Sequence, residues 1–295
     1  MSPQEFDGWT RQSLAAVERA LEAWVPGDAP GGLGQAMRYG VLDGGKRLRP
    51  LLVLAAAQAV QAPAQVAMRA AVAVELIHAY SLIHDDMPCM DNDVLRRGKP
   101  TVHVRFGQAQ AMLAGDAMQA LAFEVLTPDA GVEPAVQARL CGLLARAAGH
   151  AGMAGGQAID LASVGKPLPE NELRDMHRRK TGALLQASVL MGAACGACEE
   201  RVLAALADFG AAIGLAFQVV DDVLDVTQVS EVLGKTAGKD VDQDKPTYVR
   251  LMGLERARQY ALELRAQAHA ALTASGLAST TVLSMLADKV VDRQN

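Results

Sequence analysis

The chain has 295 residues, of which 51% are apolar and 21% charged, with a net charge of −5. That is a globular composition with enough apolar mass for one large domain. The acidic balance argues against nucleic acid as a partner, and 4% aromatic residues are too few for base-stacking platforms.

In chain order, helical periodicity dominates and no alternating strand pattern of useful length occurs. Ser2-Pro3 with Glu5 forms a capping-box pattern with proline at the first helical position, opening a helix that runs to Trp24. The opening MSPQEFDGW lacks the charged-then-apolar pattern of a secretory signal. VPGDAPGGLG, 25–34, is a loop. Further helices are predicted over 34–41, 47–60, 64–87, 103–127, 133–163, 169–198, 199–227, 246–253, 255–274 and 278–293. Pro63, Pro134 and Pro169 sit near helix starts, where proline is tolerated. No linker divides the chain, so residues 1–295 read as a single all-α domain.

The run GALLQASVLMGAACGAC, 182–198, comes nearest to a membrane span. Its Gln, Ser and many small residues make it a buried helix instead, so no membrane span is expected. Of the four cysteines, 89, 141, 195 and 198, the last two form CGAC. No further ligand pair stands nearby for zinc and no βαβ pattern surrounds it, so these are thiols in a reducing, cytoplasmic compartment.

Two acidic clusters stand out. LIHDDMPCMDND, 82–93, crowds Asp85, Asp86, Asp91 and Asp93 at the end of an apolar helix. Aspartate is a poor helix former and faces the negative end of the helix dipole there. FQVVDDVLD, 217–225, repeats the arrangement, with Gln218, Asp221, Asp222 and Asp225 on one helical face. One such cluster reads most simply as a solvated turn. Two, each ending a buried helix, read as facing walls of hard oxygen ligands suited to Mg²⁺, which completes its shell with water and substrate phosphates.

Cations come in bursts close by: GGKRLRP (44–50), DVLRRGKP (93–100), HRRKTG (177–182), LGKTAGKD (233–240) and DQDKPTY (242–248). A lone basic pair is usually a wet helix end. Here basic residues follow each acidic cluster closely, as a site for diphosphates needs. The glycine pair before Lys46 is no P-loop, and neither a Ser-His-Asp signature nor H-E-x-x-H is found.

In this arrangement DDMPCMD, DDVLD, GGKRLRP, HAYSLIHDD, LRRGKPT, GGQAIDL, HRRKTGAL, FQVVDD, LGKTAGKD and KPTY occur in one order. Over roughly residues 40–250 the chain thereby resembles the short-chain trans-prenyl diphosphate synthases, of the bacterial farnesyl diphosphate synthase type. The tail DKVVDRQN only loosely matches that family's basic end.

The resemblance implies an all-α bundle of ten or more helices around a central apolar cavity, usually in a homodimer. It implies head-to-tail condensation of small diphosphate substrates with three Mg²⁺ ions on Asp85, Asp91 and Asp221, supported by Asp86, Asp222 and Asp225. Arg96, Lys180, Thr181, Gln218, Lys235 and Lys245 match residues around the allylic diphosphate, with Lys180, Thr181 and Gln218 also steadying the allylic cation. Gly45, Lys46, Arg49, His78 and Arg97 match those around isopentenyl diphosphate.

Tyr80, with Ser81 beside it, precedes Asp85 by five residues, about 7.5 Å along the axis at ~1.5 Å per residue. In the family an aromatic there goes with a fifteen-carbon product, and a smaller residue with twenty. A geranylgeranyl synthase is therefore one alternative. A non-catalytic regulatory subunit is another, although such partners lose aspartates that this chain keeps. A class I terpene cyclase would carry a different second motif and would not need GGKRLRP. An HD-type phosphohydrolase, suggested by His84-Asp85, would need further His and Asp ligands at suitable spacing.

Overall fold

The computed structural model describes residues 1–42, 44–166, 168–227 and 247–293. Helix α1 (Pro3–Trp24) opens as its sequence requires: Glu5 N–H donates to Ser2 Oγ (3.3 Å) and Ser2 N–H donates to Glu5 Oε2 (2.6 Å). Helices α2 (Leu33–Val41), α3 (Leu48–Ala59) and α4 (Ala64–Asp85) come next. Helix α4 is packed on nearly every side, which is why its apolar residues show no stripe. It lies chiefly between α3 and α6 (Gln108–Leu126).

Predicted helices break where glycine or packing intervenes. The run 103–127 is two helices, α5 (Val102–Phe106) and α6, hinged at Gly107 with φ 88°. The run 133–163 divides into α7 (Pro134–Ala148) and α8 (Met153–Ala162). A Cβ on Gly152 would lie 2.1 Å from the Ala147 carbonyl oxygen, so only glycine permits that corner. The run 169–198 is α9 (Glu170–His177), a π-helical turn (Arg178–Gly182) and α10 (Ala183–Ala194).

Helix α11 (Glu200–Thr227) packs on α10 and on α13 (Leu254–Ser275). Between α11 and α13 the described chain resumes with α12 (Tyr248–Met252). The last helix, α14 (Thr281–Val291), is held to α13 by His269: its Nε2 is 2.8 Å from Asp288 Oδ1 and its Nδ1 3.1 Å from Ser284 Oγ. No strand was expected, yet Leu95–Arg96 and Lys99–Pro100 pair antiparallel in a short hairpin within LRRGKP. Arg97 and Gly98, at φ 52° and 76°, make its turn.

Two helices other than the 182–198 run, α4 and α11, are long and apolar enough to cross a membrane by length and composition. Their apolar windows are 72% and 56% buried inside the bundle, so packing accounts for their hydropathy.

Candidate active site

The first acidic wall is built where α4 ends. The loop after it folds back: Asp91 N–H donates to the Asp85 carbonyl (2.9 Å) and Asp93 N–H to that of Asp86 (3.1 Å). The fold-back brings Asp91 into electrostatic reach of Asp85. Burial, together with Asp91 and Asp86, pushes the Asp85 carboxyl up to about 6 against the opposing pull of Lys180 and Arg96.

Asp86 is turned to another use. It is 3% exposed and accepts from Arg96 Nε (2.8 Å to Oδ2) and Nη2 (2.6 Å to Oδ1). Arg96 thus clamps the base of the acidic loop, a bidentate pairing that fixes geometry as well as charge.

The second wall lies on α11, and its face divides the labour. Asp222, 3% exposed, accepts from Gln218 Nε2 (2.8 Å to Oδ1) and from the Tyr248 backbone N–H (2.8 Å to Oδ2). Thr181 Oγ1 donates to Gln218 Oε1 at 3.2 Å, so the π-helical turn is coupled to this wall. Asp225 is buried at 6% exposure. The Asp221 side chain keeps 41% of its surface open and meets Arg293 Nη2 at 3.1 Å.

Lys180 lies within electrostatic reach of the first wall. It is ion-paired with Asp160, and Asp160, Asp85 and Asp91 together raise its pKa against the loss from burial. A Cβ on Gly156 would lie 2.2 Å from Lys180 N, so this glycine lets α8 approach the turn closely. π-Helical turns are rare and gather at functional sites.

The cationic side is the loop 44–47, the first turn of α3 with Arg49, and the hairpin. Gly44 and Gly45 have φ of 73° and 134°, and a Cβ on Gly45 would lie 2.7 Å from Arg97 Nη2. Arg97 donates to the Gly44 carbonyl. Burial lowers Arg49 to about 10, and its buried Nε has no hydrogen-bond partner. Burial and the surrounding Arg49, Arg97, Arg96 and Arg47 hold His78 neutral, its pKa well below the usual imidazole value. Guanidinium groups gathered around an uncharged imidazole make an anion site.

Lys46 is lowered by burial and by Arg293, and raised by Asp221, so this cradle borders the second wall. An apolar pocket of about 460 Å³ opens beside Lys46, lined also by Leu48, Phe217 and Arg293. Arg47 belongs to the scaffold: 4% exposed, it pairs with Glu18 (2.7 Å) and Glu75 (2.6 Å) and donates to the Val41 carbonyl (2.6 Å).

Tyr80 is half-buried with its ring 5.7 Å from that of His84, and Ser81 Oγ donates to the His78 carbonyl at 2.9 Å. Lys235 and Lys245 lie outside the described residues. Sequence reasoning passed over Asp160 and Arg293, and it counted His177 among the cations of HRRKTG. The glycine pair of GGQAIDL with an aspartate four residues on was the available signal for Asp160.

His177 stacks at 5.4 Å on Tyr248, and neither ring nitrogen has a hydrogen-bond partner. Burial, partly opposed by Asp160, pushes its pKa down to about 4. The unfolded chain therefore takes up a proton that the folded chain refuses. Stability from this group is full above about pH 6.5 and lost as pH falls toward the folded value, by roughly 3–4 kcal/mol at ~1.4 kcal/mol per pKa unit. Urea unfolding at low and neutral pH should show a shallower acid loss in His177→Phe than in the parent; equal slopes would refute this.

Among the described residues no three His, Cys, Asp or Glu side chains converge into a closed metal cage. The carboxylates of Asp85, Asp91 and Asp221 still fit Mg²⁺, an ion that takes one or two carboxylates and fills its shell with water and phosphate oxygens.

The polyprenyl synthetase family profile matches residues 31–276. The chain is similar to the large subunit 1 of a heterodimeric chloroplastic geranylgeranyl pyrophosphate synthase of Arabidopsis thaliana, 47% identical over 99% of this chain and 81% of that one. Other plant geranylgeranyl pyrophosphate synthases are similar to the same degree. A probable farnesyl diphosphate synthase of Sinorhizobium fredii is 46% identical over 94% of this chain and 85% of its own. A geranyltransferase of Helicobacter pylori, solved with magnesium and isoprenyl diphosphate, matches with a TM-score of 0.84 and 35% identity over 99% and 97% of the two chains. Likeness of this extent goes well beyond shared motifs: the chain belongs to the polyprenyl synthetase family and is a prenyltransferase.

Proposed function

We propose that the chain condenses isopentenyl diphosphate head-to-tail with dimethylallyl or geranyl diphosphate, with Mg²⁺, to give (2E,6E)-farnesyl diphosphate. The observation that carries this reading is Lys180 on the π-helical turn, held by Asp160 within electrostatic reach of Asp85 and Asp91, while Thr181 reaches α11. Asp85, Asp91 and Asp221 would hold Mg²⁺, which supplies Lewis-acid charge for departure of the allylic diphosphate. Lys180 adds positive charge to the leaving group. Lys46, Arg49, His78 and Arg97 hold the second diphosphate and set its alkene toward the allylic carbon. The Thr181–Gln218 pair keeps its dipoles fixed beside the developing cation, and apolar helix walls keep water from it.

Tyr80, one and a half helical turns before Asp85, supports the fifteen-carbon product, as does the bacterial relative named for farnesyl diphosphate. The plant relatives favour a twenty-carbon product, which is the second reading. The assay uses purified protein with Mg²⁺, isopentenyl diphosphate and dimethylallyl diphosphate, and identifies dephosphorylated products by mass. Mainly farnesol is expected. Geranylgeraniol would overturn the product length alone, and no elongation with either primer would overturn the reaction. Tyr80→Ala should move the main product from fifteen toward twenty carbons; an unchanged profile would sink the floor.

We take the working form to be a cytoplasmic homodimer. Free thiols at all four cysteines suit a reducing compartment. Val104, Met112 and Leu113, 49%, 41% and 52% exposed on the consecutive helices α5 and α6, suit a subunit contact. A monomer in sedimentation equilibrium would refute the dimer.

A further inference from the structure

We propose that His84 sets the product length by holding the Tyr80 ring in place, and that residue 115 is glycine to seat His84. The proposal rests on the reading of Tyr80 as the floor of the product cavity.

Tyr80 and His84 are four residues apart on α4 and share a face. Their rings meet edge to face, 5.7 Å apart at 72°. The imidazole is fixed from the far side by α6, where Nε2 stands 3.0 Å from the Met112 carbonyl oxygen and donates to it. One turn further along α6, Gly115 leaves the notch. A Cβ there would lie 2.0 Å from His84 Nε2 and 2.6 Å from both Cδ2 and Cε1. Any side chain at this position drives the imidazole out of its seat. Tyr80 is thus backed by a ring with one hydrogen bond and no room to swing toward α6. A floor held this way resists the pressure of a growing hydrocarbon, whereas a tyrosine without its backing can tilt and let another isoprene unit through.

Product profiles of His84→Ala, His84→Phe, Tyr80→Ala and the double variant Tyr80→Ala/His84→Ala test this, read as the ratio of twenty- to fifteen-carbon alcohols. His84→Ala is expected to raise that ratio several-fold. His84→Phe keeps the ring but not the hydrogen bond, and should give a smaller rise, which guards against a mere folding defect. In the Tyr80→Ala background the loss of His84 should add nothing, because it acts through the ring. If Tyr80→Ala lengthens the product and neither His84 variant does, the positioning role is overturned while the floor stands. If the His84→Ala effect persists in full in the double variant, His84 acts independently of Tyr80 and the proposal fails. If no variant alters the profile, the floor itself is wrong.

Discussion

Asp85→Asn is expected to lower turnover by roughly 10²–10³-fold, the scale on which loss of one charge-stabilising group acts in a preorganised site. Burial and the like charges of Asp91 and Asp86 push this carboxyl up to about 6, disfavouring its charged form. On the reading proposed above, Mg²⁺ would outweigh those penalties at the end of this buried helix. Asp86→Asn removes a different thing. It leaves Arg96 without its bidentate partner and frees the base of the loop, so a smaller loss, about 10–100-fold, is expected from a supporting position. Steady-state kinetics over a range of Mg²⁺ concentration check both. Asp85→Asn should need far more Mg²⁺ to reach its reduced maximum. Equal losses in the two variants with unchanged Mg²⁺ dependence would show that the two aspartates do not divide the work.

Arg47→Met is expected to cost about 3–5 kcal/mol of stability, because breaking a buried pair from one side strands the other charge. Glu75 is 3% exposed and would be left facing apolar neighbours on α4. Arg47 itself sits at φ 46°, a left-handed conformation that a β-carbon resists, and its bonds to Glu18, Glu75 and the Val41 carbonyl hold it there. Heat unfolding should begin on the order of 10 °C lower, at ~2–4 °C per kcal/mol for a chain of this size class. The adjacent loop carries Lys46 and Gly45, so the KM for isopentenyl diphosphate should rise more than that for the allylic primer. Arg47→Met/Glu75→Gln should recover part of the stability. A single variant that melts with the parent would refute the buried-pair argument.

Much of the local geometry of the candidate site was legible because its signals are local. Paired aspartates after an apolar run, glycines before Lys46, and Ser2 with Glu5 each state their own geometry. What stayed hidden depends on partners distant in sequence. Asp160 lies 20 residues before the Lys180 that it pairs with, and nothing near either announces the pair. Arg293 reaches Asp221 and the Phe217 carbonyl from 72 and 76 residues away. The helix breaks at Gly107 and Gly149–Gly152 leave the apolar period almost undisturbed, so a pattern search runs through them. The apolar stretch 182–198 is explained only by its neighbours: a Cβ on Gly192 would lie 2.2 Å from the Val53 carbonyl oxygen, with α3 pressed against α10.

Five residues of π-helical turn, Arg178–Gly182, join α9 to α10 as if they were one rod. In that rod the count is off by one. Removing a single residue would let an ordinary α-helix run straight through, with better internal bonds. It would leave α9 and α10 facing almost as they do now, because five residues of π-helix sweep about the angle of four residues of α-helix, and the change would fall on the side chains of the turn itself. Lys180 would turn away from Asp160, and Thr181 from Gln218. The chain keeps a residue that its helix would do better without, because the register of the chemistry depends on it. The length of this turn is therefore as much a part of the candidate site as the side chains it carries.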